Sequence, residues 1–231
     1  MIEDQPTLTR MTTLVDEWDA AHDRRAIFLG CYRLMTRNML NAIEAGRFHD
    51  GTWVERLLER FAYYYFAALD RFEQSEPDTP RVWKLAFDAT RDERVMTMQH
   101  LLLGVNAHIN FDLIFSIYDL LNEEWAAATP EQRAQRHADH EMVNRIIGET
   151  TDAVQDQVVE QFSPWTDLVD KLMGPVDEWL TSRLLSHWRE DVWDMAVRYL
   201  EAADDETRTE LRQQIEHTAL ERGTLMLKIR S

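Results

Sequence analysis

One histidine and one aspartate, four residues apart in an otherwise apolar stretch, are the side chains of this 231-residue chain best placed to do chemistry. They are His108 and Asp112, within Arg94 to Trp125, RVMTMQHLLLGVNAHINFDLIFSIYDLLNEEW. On a helix, residues i and i+4 project from one face. Imidazole and carboxylate so placed suit two ligands of a divalent ion such as zinc, or a histidine base oriented by its carboxylate. They equally suit a buried hydrogen bond that ties two helices together. Gly104, one turn earlier, leaves room for a ligand or for another backbone.

The same stretch carries a second polar stripe. At about 100° per residue, Gln99, Asn106 and Asn110 fall opposite the line Gly104, His108, Asp112, which apolar Phe115 and then Asp119 continue. His100 lies between the two. The amides are expected as interhelical hydrogen-bonding groups or as part of a ligand cluster.

Three further regions supply candidates. In Glu131 to Phe162 the apolar stripe is Val143, Ile146, Ile147, Thr150, Val154 and Val158, and helical spacing carries it back to Arg136, Asp139 and His140. Asp139 and His140 therefore join His108 and Asp112 as expected metal ligands, with solvent exposure at a frayed helix end as the alternative. Asn144 belongs with the amide cluster. In 175–203 Arg189 borders Trp193 and Ala196, from where it could reach a carboxylate or an anionic substrate. His187 and Asp191 repeat the His-x-x-x-Asp spacing but fall beside Glu190, Asp194 and Arg198, a solvated face. His137 and Glu141, and Asp70, are read as solvated too. Tyr32 and the lone Cys31 sit in an apolar helical stretch and are expected to pack.

The elements that must position these groups are helices. Apolar residues recur at helical spacing over 7–21, 23–45, 52–74, 80–90, 94–125, 130–162, 164–172, 175–203 and 205–226. Thr79-Pro80, Thr129-Pro130 and Ser163-Pro164 place a cap residue before a proline suited to a first turn, and Gly174-Pro175 breaks the chain. No alternating run argues for a strand. The expected fold is all-α: a single-domain antiparallel multi-helix bundle over 1–231 with a buried central helix at about 94–125. Residues 204–231, the most polar segment, read as a C-terminal appendage.

Composition excludes several functions. With 42 acidic against 25 basic residues the formal charge is −17, a surface that repels phosphate backbones and lacks a basic membrane-binding face. No apolar leader precedes a cleavage site, so a cytoplasmic protein is expected. One cysteine permits neither an internal disulfide nor an all-cysteine zinc site. There is no glycine-rich phosphate cradle, no Gly-x-Ser-x-Gly elbow and no Glu-x-x-His pair, against nucleotide kinases, ordinary serine hydrolases and di-iron carboxylate bundles.

The run Gln99-His100-Leu101-Leu102-Leu103-Gly104-Val105-Asn106-Ala107-His108-Ile109-Asn110-Phe111-Asp112-Leu113 resembles the signature of the family catalogued as domain of unknown function 5995. Weaker echoes are Phe61-Ala62 with Tyr65 to Leu69, Trp83 to Phe87, Asp139 with Val143-Asn144, and Arg189 with Trp193 and Ala196. The resemblance covers roughly residues 15–202, implies a helical fold and marks the same polar residues, but implies no activity. Three functions stay open: a non-enzymatic binding or scaffold protein, whose partner is a small molecule, another protein or a second copy of the chain; a metal-dependent hydrolase acting on an ester or phosphoester; and a metal-free small-molecule pocket.

Overall fold

In the computed structural model, which describes residues 5–161 and 182–228, every regular element is a helix. The expected helix 164–172 and the breaks at Ser163-Pro164 and Gly174-Pro175 lie outside the described residues, as does the start of the expected helix 175–203. In chain order the elements are α1 (Pro6–Ala20), α2 (Arg25–Glu44), α3 (Gly51–Glu73), α4 (Arg81–Ala89) and α5 (Thr97–Ala107). A π-helical turn (His108–Asp112) follows, then α6 (Leu113–Leu121), α7 (Pro130–Gln161), α8 (Ser182–Leu200) and α9 (Asp205–Lys228).

Local chemistry accounts for the boundaries. Asp50 caps α3 by accepting the Trp53 N–H at 3.0 Å. Thr129 and Gln132 close α7 reciprocally, each side-chain oxygen accepting the other's backbone N–H at 3.2 and 2.8 Å. The central helix starts later than the apolar pattern suggests, because Met96 is extended and the Gln99 side chain accepts its N–H. It stops at Leu121, where the Asn122 amide donates back to the carbonyls of Tyr118 and Asp119.

The central unit, α5 through α6, is touched by α2, α3, α4, α8 and α9. Thr97–Leu121 is long and apolar enough to cross a membrane, but 83% of its most apolar window is buried against these neighbours. The main core is aromatic-rich: Trp18, Phe28, Tyr32, Phe61, Tyr65, Phe66, Trp83 and Phe87 form one contiguous cluster with the aliphatic residues of the central helix.

The C-terminal segment packs rather than hangs off. Leu211, Ile215, Ala219, Gly223 and Met226 are buried, and α9 lies along α5 and α4. This stripe is one residue wide and two of its members are small, so the polar remainder dominates its composition and hides a core-facing helix.

Candidate functional site

The site begins with the irregular turn. A π-turn accommodates one residue more than an α-helical turn, and such turns concentrate at functional positions. Here the Leu113 N–H reaches the carbonyl of His108, five residues back. His108 and Asp112, the first and last residues of that turn, are 3% and 1% exposed.

Nδ1 of His108 lies 3.1 Å from Oδ2 of Asp112, and the same oxygen accepts the indole N–H of Trp83 at 2.8 Å. Five aromatic side chains box the imidazole. The Phe61 ring stacks on it at 3.4 Å between centroids, and Tyr32 meets it edge-on at 4.3 Å. Phe28, Tyr65 and Trp83 stand 5.7 to 6.2 Å away. The Nε2 atom is buried, with no hydrogen-bond partner among the described residues. Burial pushes the Asp112 carboxyl well above the usual carboxylate range, opposed by the Trp83 hydrogen bond, and pushes His108 well below the usual imidazole range, with Arg189 adding to the effect. Both directions favour the uncharged forms of the pair.

Gly104 belongs to this packing. A methyl group there would stand 2.8 Å from Cβ of Phe28 and closer still to its ring. The glycine lets α2 bring Phe28 over the imidazole.

The second polar stripe faces another helix. Gln99 donates to the carbonyl of Met226 at 2.7 Å, and Asn106 to that of Ala219 at 2.8 Å. Asn110 donates to the Asn106 side chain at 3.0 Å and accepts from the Arg222 guanidinium at 2.8 Å. These amides fix the register of α9 on the central helix.

Asp139, His140, Asn144 and Arg189 form two further groupings. Asp139 accepts the backbone N–H groups of His49 and Asp50 at 2.7 and 2.9 Å, and so anchors the loop before α3. Arg136 closes the same corner through Asp50 at 2.6 Å. His140 brackets a single residue: Nε2 is 2.9 Å from the Arg189 carbonyl, and Nδ1 is 3.4 Å from a terminal nitrogen of the Arg189 guanidinium. The first contact therefore makes Nε2 the protonated nitrogen and leaves Nδ1 to accept. Arg189 Nε donates to the Asn144 side-chain oxygen.

The four expected metal ligands thus stand as one facing pair and two separately engaged side chains. Among the described residues no group of three or more His, Cys, Asp or Glu is arranged to hold a metal ion. Ligation by His108 Nδ1 and Asp112 Oδ2 would require each to release the other. His187 and Asp191 sit on the surface, with side chains 70% and 45% exposed. Asp70 is an exposed partner of Arg10.

Beside the boxed imidazole lies a cavity of about 150 Å³. Its walls are α2 (Phe28, Cys31, Tyr32, Met35, Thr36, Met39), α3 (Val54, Leu57, Leu58, Phe61) and the central helix (Leu101, Val105, His108, Ile109, Leu113). Val143 and Ile147 of α7 and Arg189 of α8 complete it. Arg189 is 3% exposed, and among the described residues no carboxylate stands within ion-pair distance of it. Burial pushes its guanidinium down to about 9, which leaves it a cation at neutral pH. Burial likewise pushes the Cys31 thiol up to about 11, so it is no thiolate nucleophile. Spacing pointed to His108, Asp112 and Arg189. It did not point to Trp83 as the donor to Asp112, to Arg222, or to the cavity, because these depend on which helices meet.

No curated protein and no solved structure matches the chain. The sequence does match the model of a family of unknown function over residues 5–229, nearly its whole length, including the π-turn, the boxed imidazole and the bracketed arginine. The chain belongs to that family, DUF5995.

Proposed function

We propose that the protein binds a small, largely apolar molecule in the cavity between α2, α3, α7 and the central helix, without a metal. The carrying observation is the cavity itself. It is a concave space of about 150 Å³ with an almost wholly apolar lining, the usual character of a small-molecule site. Away from the cavity the central helix is tightly packed, with Leu103, Ile117 and Leu121 no more than 1% exposed. A retained void of this size, in the class that admits benzene, reads as a binding space. Met35 and Met39 on its wall add adaptable, polarizable surface.

Titration with 1-octanol, followed by thermal unfolding and by the methyl resonances of Met35 and Met39, tests this. The midpoint should rise with alcohol concentration and both methyl signals should shift. Val105→Phe, which fills the space from α5, should abolish both responses while keeping the fold. Absence of any response in the wild-type protein overturns the reading.

The amide stripe supports a different, internal role. Gln99, Asn106 and Asn110 each make a hydrogen bond to α9, which suits helix register rather than ligand contact.

A further inference from the structure

Arg189 is a buried cation with no carboxylate at ion-pair distance among the described residues. Burying a charge is expensive unless it is paired, and unpaired guanidinium groups in protein interiors are rare. Two of its three nitrogens are engaged by neutral groups, Nε with Asn144 and one terminal nitrogen with His140. Neither supplies negative charge. The buried carboxyl of Asp112 on the central helix is bonded to His108 and Trp83 instead. Yet Arg189 lines the cavity, and among the described lining residues it is the one that carries a charge at neutral pH.

We infer that the ligand is a monocarboxylic acid with an apolar body, of the fatty-acid type, its carboxylate at Arg189 and its tail among Met35, Met39, Leu57 and Leu113. This rests on the cavity being a binding space and adds the headgroup. The charge count selects the class. A single guanidinium, partly used, matches a single negative charge, whereas a phosphate monoester would need more donors than the wall offers. Among the described residues that line the cavity, no acidic side chain repels an anion. The volume limits the tail to a short or medium chain. His140 and Asn144 are positioning residues here: they hold the guanidinium plane while its remaining terminal nitrogen meets the ligand.

The test compares three probes of one shape on the full-length protein: octanoate, 1-octanol and octylammonium, by calorimetric titration at neutral pH. Octanoate should bind about tenfold or more tighter than octanol, and octylammonium should not bind measurably. Arg189→Met should bring octanoate level with octanol. Because that variant could fail to fold, carboxyl-labelled octanoate gives a reading on the wild-type complex. Its ¹³C signal should stay that of the ionised acid to lower pH when bound than when free, as beside a cation. Equal affinity for octanoate and octanol, or a bound carboxyl that titrates above the free acid, overturns the headgroup inference and leaves the binding space standing. Failure of all three probes overturns both.

Discussion

At the scale of single residues, the buried pair at the π-turn shares a third partner, Trp83, so removing one member costs more than removing a bond. Asp112→Leu would strand the Trp83 indole N–H and Nδ1 of His108 in an apolar box. Each orphaned group costs roughly 1–3 kcal/mol, so the variant should lose about 3 kcal/mol of stability by urea unfolding. Trp83→Phe keeps most of the ring packing and removes one donor, and should cost about 1 kcal/mol. Combining Asp112→Leu with His108→Phe should recover part of the loss of the single change, since an apolar pair leaves fewer groups unsatisfied. Strict additivity in that cycle would mean that the 3.1 Å contact carries no coupling. That His108 and Asp112 meet was legible from their spacing alone, because polar residues on an otherwise apolar helix must find partners. Their charge state was not. Spacing says that two groups meet, whereas burial and the third partner decide which proton they keep. Asp139 and His140 show the same limit: helical phase put them toward the core, but only the neighbouring loop and α8 reveal that each is already engaged.

At the scale of elements, the π-turn corrects a drift that a straight helix would accumulate. Eight residues of ideal α-helix leave Gly104 and Asp112 about 80° apart, whereas a turn that absorbs one extra residue brings them within about 20°. Gly104, Asp112 and Asp119 then share a wall facing α2 to α4, where Asp119 accepts from the Tyr64 hydroxyl at 2.9 Å. Nothing in local composition announces the extra residue. It is stabilised by what packs on either side, including the Ser116 hydroxyl, which donates to the Asp112 carbonyl at 2.8 Å. Gly104 tests this packing. Alanine is the better helix former by about 1 kcal/mol, but the added methyl would overlap Phe28, whose attachment to α2 leaves it little room to retreat. The net effect of Gly104→Ala should be a loss of about 1–3 kcal/mol, read as a lowered thermal midpoint. Gly223→Ala on α9 should be milder, since its nearest neighbour at 2.9 Å is the flexible tip of Leu85. The helices and the central position of one of them followed from periodicity. The inward face of α9 was hidden because a stripe of Leu, Ile, Ala, Gly and Met one residue wide scarcely differs from a solvated helix.

For the molecule as a whole, acidity of the surface and burial of the histidines act on stability together. Burial holds His100 down to about 4, and holds His108 and His140 well below the ordinary imidazole value of 6.5. Below pH 6.5 the unfolded chain therefore binds protons at these three sites that the folded chain refuses. Asp112 works in the opposite sense: burial raises it, so the folded chain holds a proton there that the unfolded chain releases above its ordinary value of 3.8. Below pH 6.5 proton uptake by the three histidines of the unfolded chain opposes the single proton that Asp112 favours in the folded chain, and the histidines outnumber it. Stability should fall as pH is lowered from 6.5 toward 5, read in urea titrations at stepped pH. His100→Gln should make that fall shallower. A flat profile from pH 7 to 5 would mean that the histidines are not held neutral. Near neutral pH, moderate salt should raise stability by screening the net −17 charge.

His140 grips Arg189 by its backbone carbonyl and by its guanidinium at once. A long side chain clasped at both ends has surrendered its rotamers before any guest arrives, so that entropy is charged to folding. Encounter should then be governed by entry into the cavity rather than by rearrangement of the cation, and arrival rates should track the guest's bulk more than its charge.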